Sequence, residues 1–333
     1  MMFVNRQELY RQLEASRNSK VITYVTGDRQ GLGTHIAADA FDFFANQLDE
    51  IGDTHKISLF IYTTGGDILA AWSIINLVRQ FCKELEVIIP SKCLSAGTLM
   101  SLGANNIVMT KQATLGPIDP SVNGPLNPQV VLNGQQQQWA VSVEEIKGYI
   151  AVAKQEFGIE DGPALAQILQ SLSDKVHPLV LGRVYRTQAQ IQMLARKLLA
   201  NQVTEKNTVD GIVSFLCSES GSHDYTINRT EAKELGLHIE KPDDNLYGLI
   251  KSIYADIKSE LQLGQPFDVN AILGAADELN YKSVRCLIEA TDTFSYQYTT
   301  DWTFRRTAID QNGIQQVFVN NTINREGWGR HDQ

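Results

Sequence analysis

The 333-residue chain is 43% hydrophobic and 20% charged, the balance of an ordinary globular protein rather than a disordered or fibrous one. Its formal net charge of −9 argues against a general nucleic-acid binder, which needs clustered Lys and Arg to neutralise phosphates; Arg305 and Arg306 read as solvated surface. The first residues lack the apolar core of a signal peptide, and no apolar run is long enough to cross a bilayer. Cys82, Cys93, Cys217 and Cys286 show no C-x-x-C spacing, so the expectation is a cytoplasmic protein with reduced thiols and without zinc or a disulfide framework.

In chain order, residues 5–18 read as a polar helix with Leu9 and Leu13 four apart, and residues 20–26, rich in β-branched side chains, as a strand. The loop 27–33 carries Gly31 and Gly33, but lacks the third glycine and the Lys-Ser/Thr of a phosphate loop. Residues 34–51 have helical apolar spacing (Ile36, Ala40, Phe43, Phe44, Leu48). Residues 57–62 form a near-continuous apolar run, as in a strand covered on both faces. That strand runs into Thr63-Thr-Gly-Gly-Asp67 and a helix over 68–81. A second strand–turn–helix follows over 87–103, where Pro90 ends the strand and Ser95, Ala96 and Gly97 form the turn. A further strand fits 107–110. The alternation implies a mainly parallel sheet with right-handed crossovers.

Residues 121–138 have little apolar periodicity and read as a lid or strap. Ser142-Val-Glu-Glu145 is a capping box opening a helix through 157, and helices also fit 163–176 and 186–201. A short helix at 230–237 is closed by Gly236. Beyond residue 242, 246–263 and 269–289 read as amphipathic helices, and 294–304 and 313–319 as hairpin strands. The expected division is therefore a main domain of residues 1–242 and a C-terminal helical and hairpin appendage of residues 243–333.

Two strand–turn–helix junctions on one parallel sheet bring their turns to the same edge. Paired glycines leave backbone N–H groups unobstructed by Cβ atoms, so Gly65, Gly66 and Ala96 can donate to one carbonyl oxygen beside the Ser95 hydroxyl. A nucleophile next to an oxyanion hole is the minimum for acyl transfer, although the hydroxyl still needs a base. The competing structural readings are a tight turn at the glycines and a plain helix cap at Ser95. His177, before Pro178, reads as a helix-end or interface residue, and the four tryptophans as core or contact aromatics.

Ile61-Tyr-Thr-Thr-Gly-Gly-Asp-Ile-Leu-Ala-Ala71, Cys93-Leu-Ser-Ala-Gly-Thr98, Ala113-Thr-Leu-Gly-Pro-Ile-Asp-Pro120 and Thr230-Glu-Ala-Lys-Glu-Leu-Gly-Leu237 stand in the order seen in Clp-type serine peptidases. That superfamily includes the Clp proteolytic subunit, signal peptide peptidase A and the serine dehydrogenase proteinase family. The chain resembles the last most, through its Thr-Thr-Gly-Gly-Asp form and Lys175-Val-His-Pro-Leu179. The resemblance covers roughly residues 20–242 and implies a Clp/crotonase-like fold of repeated β-β-α units, in the α/β class.

It also implies a serine endopeptidase with Ser95 as nucleophile, and Gly65 or Gly66 with Ala96 as oxyanion donors. The loop 116–120 has no histidine, so the resemblance to the Clp subunit's triad stops there. Relatives that use a Ser/Lys pair point to Lys147 as base, with Lys154 as fallback, and His223 and Asp224 as alternatives for base or orienter. The implied partners are a peptide or protein substrate and further copies of the chain; no cofactor, nucleic acid or transmembrane segment is expected. Two rival readings are a crotonase-type acyl-CoA hydratase or isomerase, for which no pair of Glu residues stands beside the two turns, and a catalytically silent oligomeric scaffold.

Overall fold

A computed structural model describes residues 3–118, 121–132, 134–219, 224–311 and 314–331. It divides the chain into two compact units, one of residues 1–115 with 228–333 and one of residues 116–227.

In the first unit, α1 (Phe3–Arg17) leads into β1 (Lys20–Thr26), a 3₁₀ turn at Ala38–Ala40 and α2 (Phe41–Ile51). Then come β2 (Thr54–Tyr62), α3 (Ile68–Gln80), β3 (Cys82–Ile89), the short β4 (Lys92–Cys93), α4 (Ala96–Leu102), β5 (Asn106–Met109) and β6 (Thr114–Leu115). Strands β1, β2, β3 and β5 pair in parallel in the spatial order β5-β3-β2-β1. Buried side chains, most of them apolar, fill β1 and the second halves of β2 and β3, because both faces are covered. Phe3, Tyr10 and Leu13 of α1 pack on Val21, Val25, Phe60 and Ile88 on one face. On the alternate face, Tyr24 meets Phe44 of α2 edge to face at 5.1 Å.

The second unit holds β7 (Ser121–Val122), the antiparallel pair β8 (Gln129–Leu132) and β9 (Gln135–Gln138), and β10 (Val141–Ser142), which pairs with β7. The Ser142 capping box opens α5 (Val143–Ala151), and a π-helical turn over Val152–Glu156 continues it. Helices α6 (Gly162–Ser173), α7 (Pro178–Leu199) and α8 (Lys206–Ser214) follow. His177 is the N-cap of α7, its Nδ1 accepting from the Leu179 N–H at 3.2 Å, which accounts for the earlier start of this helix than the apolar spacing suggests. Sequence reading did not find α8, which Glu205 caps. A π-helical turn over Phe215–Glu219 and the two-residue β11 (Ile227–Asn228) lead back to the first unit.

The return begins with α9 (Arg229–Glu234) and β12 (Ile239–Glu240), which extends the sheet beside β5. Helix α10 (Asp244–Leu261) lays Leu246, Ile250, Ile253 and Ile257 against the α1 face of the sheet. The expected helix over 269–289 is a correction. Only α11 (Val269–Leu273) forms, Gly274 closes it at φ 55°, and β13 (Glu278–Ala290) pairs antiparallel with β1. Helical spacing lost because β1 offers an unpaired edge, and the β-branched and aromatic residues between Tyr281 and Ile288 suit it. The hairpin expectation is met by β14 (Ser295–Gln311) and β15 (Ile314–His331), which complete an eight-stranded sheet. Residues 243–333 are thus part of the first unit, and the chain passes from one unit to the other at 115/116 and 227/228 rather than at 242/243. Among the described residues, no helix is long and apolar enough to cross a membrane.

Two buried ion clusters tie the chain ends to this sheet. Arg6 is fully buried and donates to Glu289 Oε1 and Oε2 at 2.6 and 3.0 Å, to Asp256 and to Glu260; Tyr10 and Ser295 add hydroxyl bonds to Glu289. At the other end of α1, Arg17 bridges Glu86 and Glu240, and Lys56 and Ser58 also bond Glu86. Burial alone would raise the Glu86 carboxyl, but the hydrogen bonds and charge of Arg17, then Lys56, hold it below its ordinary value of 4.5. A depressed carboxyl contributes stability that is full above the ordinary value and is lost as pH falls through the depressed one. Glu86→Gln should therefore cost about 3 kcal/mol or more at pH 7 and lose less stability than wild type on further acidification, as read by denaturant unfolding between pH 7 and pH 3.

Candidate functional site

The two turns that the sequence singled out meet in the first unit. Beyond β2, Thr63 ladders onto the segment before Ser95: its N–H donates to Lys92 O at 3.0 Å, and its carbonyl accepts from the Leu94 N–H at 3.1 Å. Next, Gly65 (φ 116°) lies against the serine, and a Cβ on it would stand 2.9 Å from Ser95 Cβ and 3.4 Å from Ser95 Oγ. Gly66 (φ 147°) runs beside Ile36, which closes a parallel bridge through Ile36 N–H to Gly65 O and Asp67 N–H to Ile36 O, both 2.8 Å. A Cβ at Gly66 would fall 2.3 Å from Ile36 O. This bridge is why residues 34–37 are extended, whereas their apolar spacing suggested helix. Asp67 caps α3 by accepting from the Leu69 and Ala70 N–H groups.

Ser95 stands between β4 and α4 with φ 51° and ψ −112°, a region that side-chain-bearing residues avoid. It occupies the N-cap position but makes no side-chain cap bond. The plain helix-cap reading therefore fails for the hydroxyl, and a half-buried serine is left on a strained strand-to-helix turn. Helix α4 is pressed close to it: at Gly97 a Cβ would lie 2.4 Å from Thr63 Cγ2 and 2.9 Å from Cys93 Sγ.

The backbone donors differ in their commitments. Gly65 N–H is held by Thr63 Oγ1 at 3.0 Å, and that hydroxyl also accepts from Thr26 Oγ1 at 2.7 Å. Gly66 and Ala96 N–H have no such partner among the described residues. Cys93, two residues before the serine, is no rival nucleophile, since burial pushes its thiol up to about 12 against a hydrogen bond with Ser101. Lys92 is the basic residue nearest to Ser95 in the chain, and its ammonium lies 2.6 Å from Asp28 Oδ2. Asp28 also accepts from Tyr62 and from the Gly264 N–H. Burial raises the Asp28 carboxyl, but Lys92 and then Tyr62 outweigh it and hold it below its ordinary range.

The residues considered as base lie in the other unit. Lys147 is on α5, partly exposed, with its ammonium 3.2 Å from Glu144 Oε1 one helical turn back. Lys154 is exposed on the π-helical turn, and Asp224 is exposed. His223 lies outside the described residues, as do Asp119 and Pro120 of the 113–120 motif. Sequence reasoning placed Thr63 and Gly97 in the two turns without their packing roles, and read Ile36 as helical. The small residue after Ser95-Ala96 hinted at close packing, but nothing in a helix-like pattern marked Ile36 as the strand that carries the glycine turn.

A serine on a strained turn beside a double-glycine turn is a local geometry shared by hydrolases that act through a serine nucleophile. Residues 1–147 match the family model of the ClpP-like SDH-type serine proteinases, so the resemblance that the motifs suggested is borne out over that part of the chain. Two uncharacterized proteins of Methanocaldococcus jannaschii are also similar. One is 27% identical over 241 residues, covering 71% of this chain and 73% of its own; the other is 25% identical over 244 residues, covering 71% and 72%. Among solved structures, a serine-to-alanine mutant of the 1510-N membrane-bound stomatin-specific protease aligns over 69% of this chain and 85% of its own, with 16% identity and a TM-score of 0.38. ClpP1 from Listeria monocytogenes aligns over 72% of this chain and 99% of its own, with 13% identity and a TM-score of 0.37.

Two substitutions test the turn geometry by thermal unfolding. Gly66→Ala should destabilise by about 3 kcal/mol or more, because a methyl group cannot enter the Ile36 backbone contact. Ser95→Gly should be about 1 kcal/mol more stable than Ser95→Ala, since glycine relieves the positive-φ strain and alanine keeps it.

Proposed function

We propose that the protein is a serine endopeptidase in which Ser95 Oγ attacks the carbonyl carbon of a peptide bond. The observation that carries this reading is the strained, uncapped Ser95 set against Gly65, with the Gly66 and Ala96 N–H groups uncommitted beside it. In the reaction, the Oγ–C bond forms as the hydroxyl proton passes to a base, and the carbonyl oxygen becomes an oxyanion that accepts from Gly66 and Ala96. Collapse breaks the C–N bond, the departing amine takes the proton, and water then hydrolyses the acyl-serine by the same route. Gly65 serves the turn rather than the oxyanion, because its N–H is tied to Thr63.

The base in this proposal is Lys147, with Lys154 as the fallback and His223 or Asp224 as the alternatives. The departure from the Clp triad at 116–120 supports a Ser/Lys pair. Lys147 must leave Glu144 to take up the serine proton. Peptide or protein substrates and a homo-oligomeric assembly belong to the same proposal and rest on the family resemblance.

A serine-directed phosphonate probe should label the wild-type protein and leave Ser95→Ala unlabelled; labelling that survives the substitution removes Ser95 from the nucleophile's role. Lys147→Ala should slow labelling by about 10²- to 10⁴-fold while circular dichroism stays unchanged. Near-normal labelling of that variant would pass the base's role to Lys154 or His223.

A further inference from the structure

Five buried side-chain atoms of the described residues have no hydrogen-bond partner, and three of them, Arg29 Nε, Ser283 Oγ and Trp302 Nε1, belong to one place in the fold. Tyr281 pairs with Trp302 across β13 and β14, and Ser283 pairs with Thr300, so these side chains share one face of the sheet. Arg29, from the loop after β1, reaches that face: its guanidinium donates to the Tyr281 hydroxyl at 2.9 Å and lies 5.0 Å above the Phe267 ring, which is 5.5 Å from Trp302. The loop is clamped there by Gly27 N–H to Arg285 O and by the Arg285 guanidinium to Leu32 O and Gly33 O.

Arg29 is only 8% exposed, and its oxygen partners, Tyr281 and Pro266, are uncharged. Among the described residues no carboxylate pairs with it, and Asp28 beside it is committed to Lys92, Tyr62 and Gly264. The buried Arg6 of the same unit meets three carboxylates. A buried guanidinium without a counter-charge is costly, and a water molecule would fill its hydrogen bond without balancing its charge. All three orphan atoms can donate, and two of them can do nothing else. We propose that this buried face of β13 and β14, where it lies against the loop 27–33, is a binding site for a small oxyanion, held by Arg29 Nε, Trp302 Nε1 and Ser283 Oγ. The site is independent of Ser95 and of the peptidase reading. Its chemistry is that of a phosphate, sulfate or carboxylate group, and the loop it fastens continues into Ile36, the partner of Gly66.

The test uses the full chain with ¹⁵N-labelled tryptophan, the Trp302 indole resonance being assigned by its loss in Trp302→Phe. Inorganic phosphate, sulfate and acetate are titrated at ionic strength held constant with sodium chloride. The Trp302 resonance should move saturably with at least one of the three, and the same anion should raise the melting temperature. Phosphate or sulfate acting alone marks a tetrahedral ligand, and acetate acting as well marks a carboxylate site. Arg29→Gln should weaken the response about tenfold or more, and Trp302→Phe, which keeps the ring packing, should reduce the anion-dependent rise in melting temperature. If Arg29→Gln does not fold, the Trp302→Phe comparison stands in its place. A resonance unmoved by every oxyanion, or a response unchanged in the variants, would overturn the proposal and leave a trapped water as the occupant.

Discussion

The backbone of Gly66 passes so near that of Ile36 that no side chain fits between them, and the architecture around Ser95 depends on this approach. The bridge fixes the path of the chain between β1 and α2 on one side, and the start of α3 on the other. Thr63, two residues before the glycine pair, joins the same turn to the strand leading into Ser95, so both halves of the candidate site hang from one short ladder. Gly97 extends the constraint to the far side of the serine, where α4 lies on Thr63 and Cys93. Three positions without side chains thus let three stretches of backbone come within contact distance. The serine bears the remaining strain in its own φ and ψ.

Charge is handled differently in different parts of the first unit. Around Arg6 and Arg17, a buried and a half-buried guanidinium group are met by several carboxylates, two of which also accept from hydroxyls, so desolvation is offset by convergent hydrogen bonds. These clusters lie on α1, β3, β12, α10 and β13, away from the turns, and they join helix and sheet where an apolar contact alone would leave orientation loose. Near the serine, Lys92 and Asp28 pair with one another.

Much of the parallel sheet was legible in the sequence because its signal is local. The strands at 20–26 and 57–62, the helix at 68–81 and the two glycine- and serine-bearing turns each follow from periodicity and turn chemistry within a few residues. The turns that carry Ser95 and Gly66 stood out in the same way. What escaped depends on contacts distant in sequence. Residues 269–289 carry a helical spacing, yet the open edge of β1 draws Glu278–Ala290 into the sheet. The stretch before α2 looks helical until the Gly66 bridge claims Ile36. The commitment of Gly65 N–H to Thr63 is a matter of a fraction of an ångström that no pattern of residue types records, and Arg29 read as part of a polar loop because its burial comes from β13, β14 and Phe267.

The joining of the first strand to the thirteenth has a consequence for how the protein is made. Arg6 and Glu289 are 283 positions apart, and β1 has no partner on its outer edge until the chain has been synthesised to residue 290. During translation the 116–227 unit emerges whole while the unit around it is still half absent, so the inserted segment can fold before the segment that encloses it in sequence. Until then the nascent chain carries an exposed β edge and an Arg6 whose partner Glu289 does not yet exist, a state prone to pairing with other chains. The long loop closure that ends this state places the slow step of folding at the C-terminal strands rather than at the glycine turns. A ribosome stalled before β13 is made would leave a product with its serine turn in place and the outer edge of β1 unpaired.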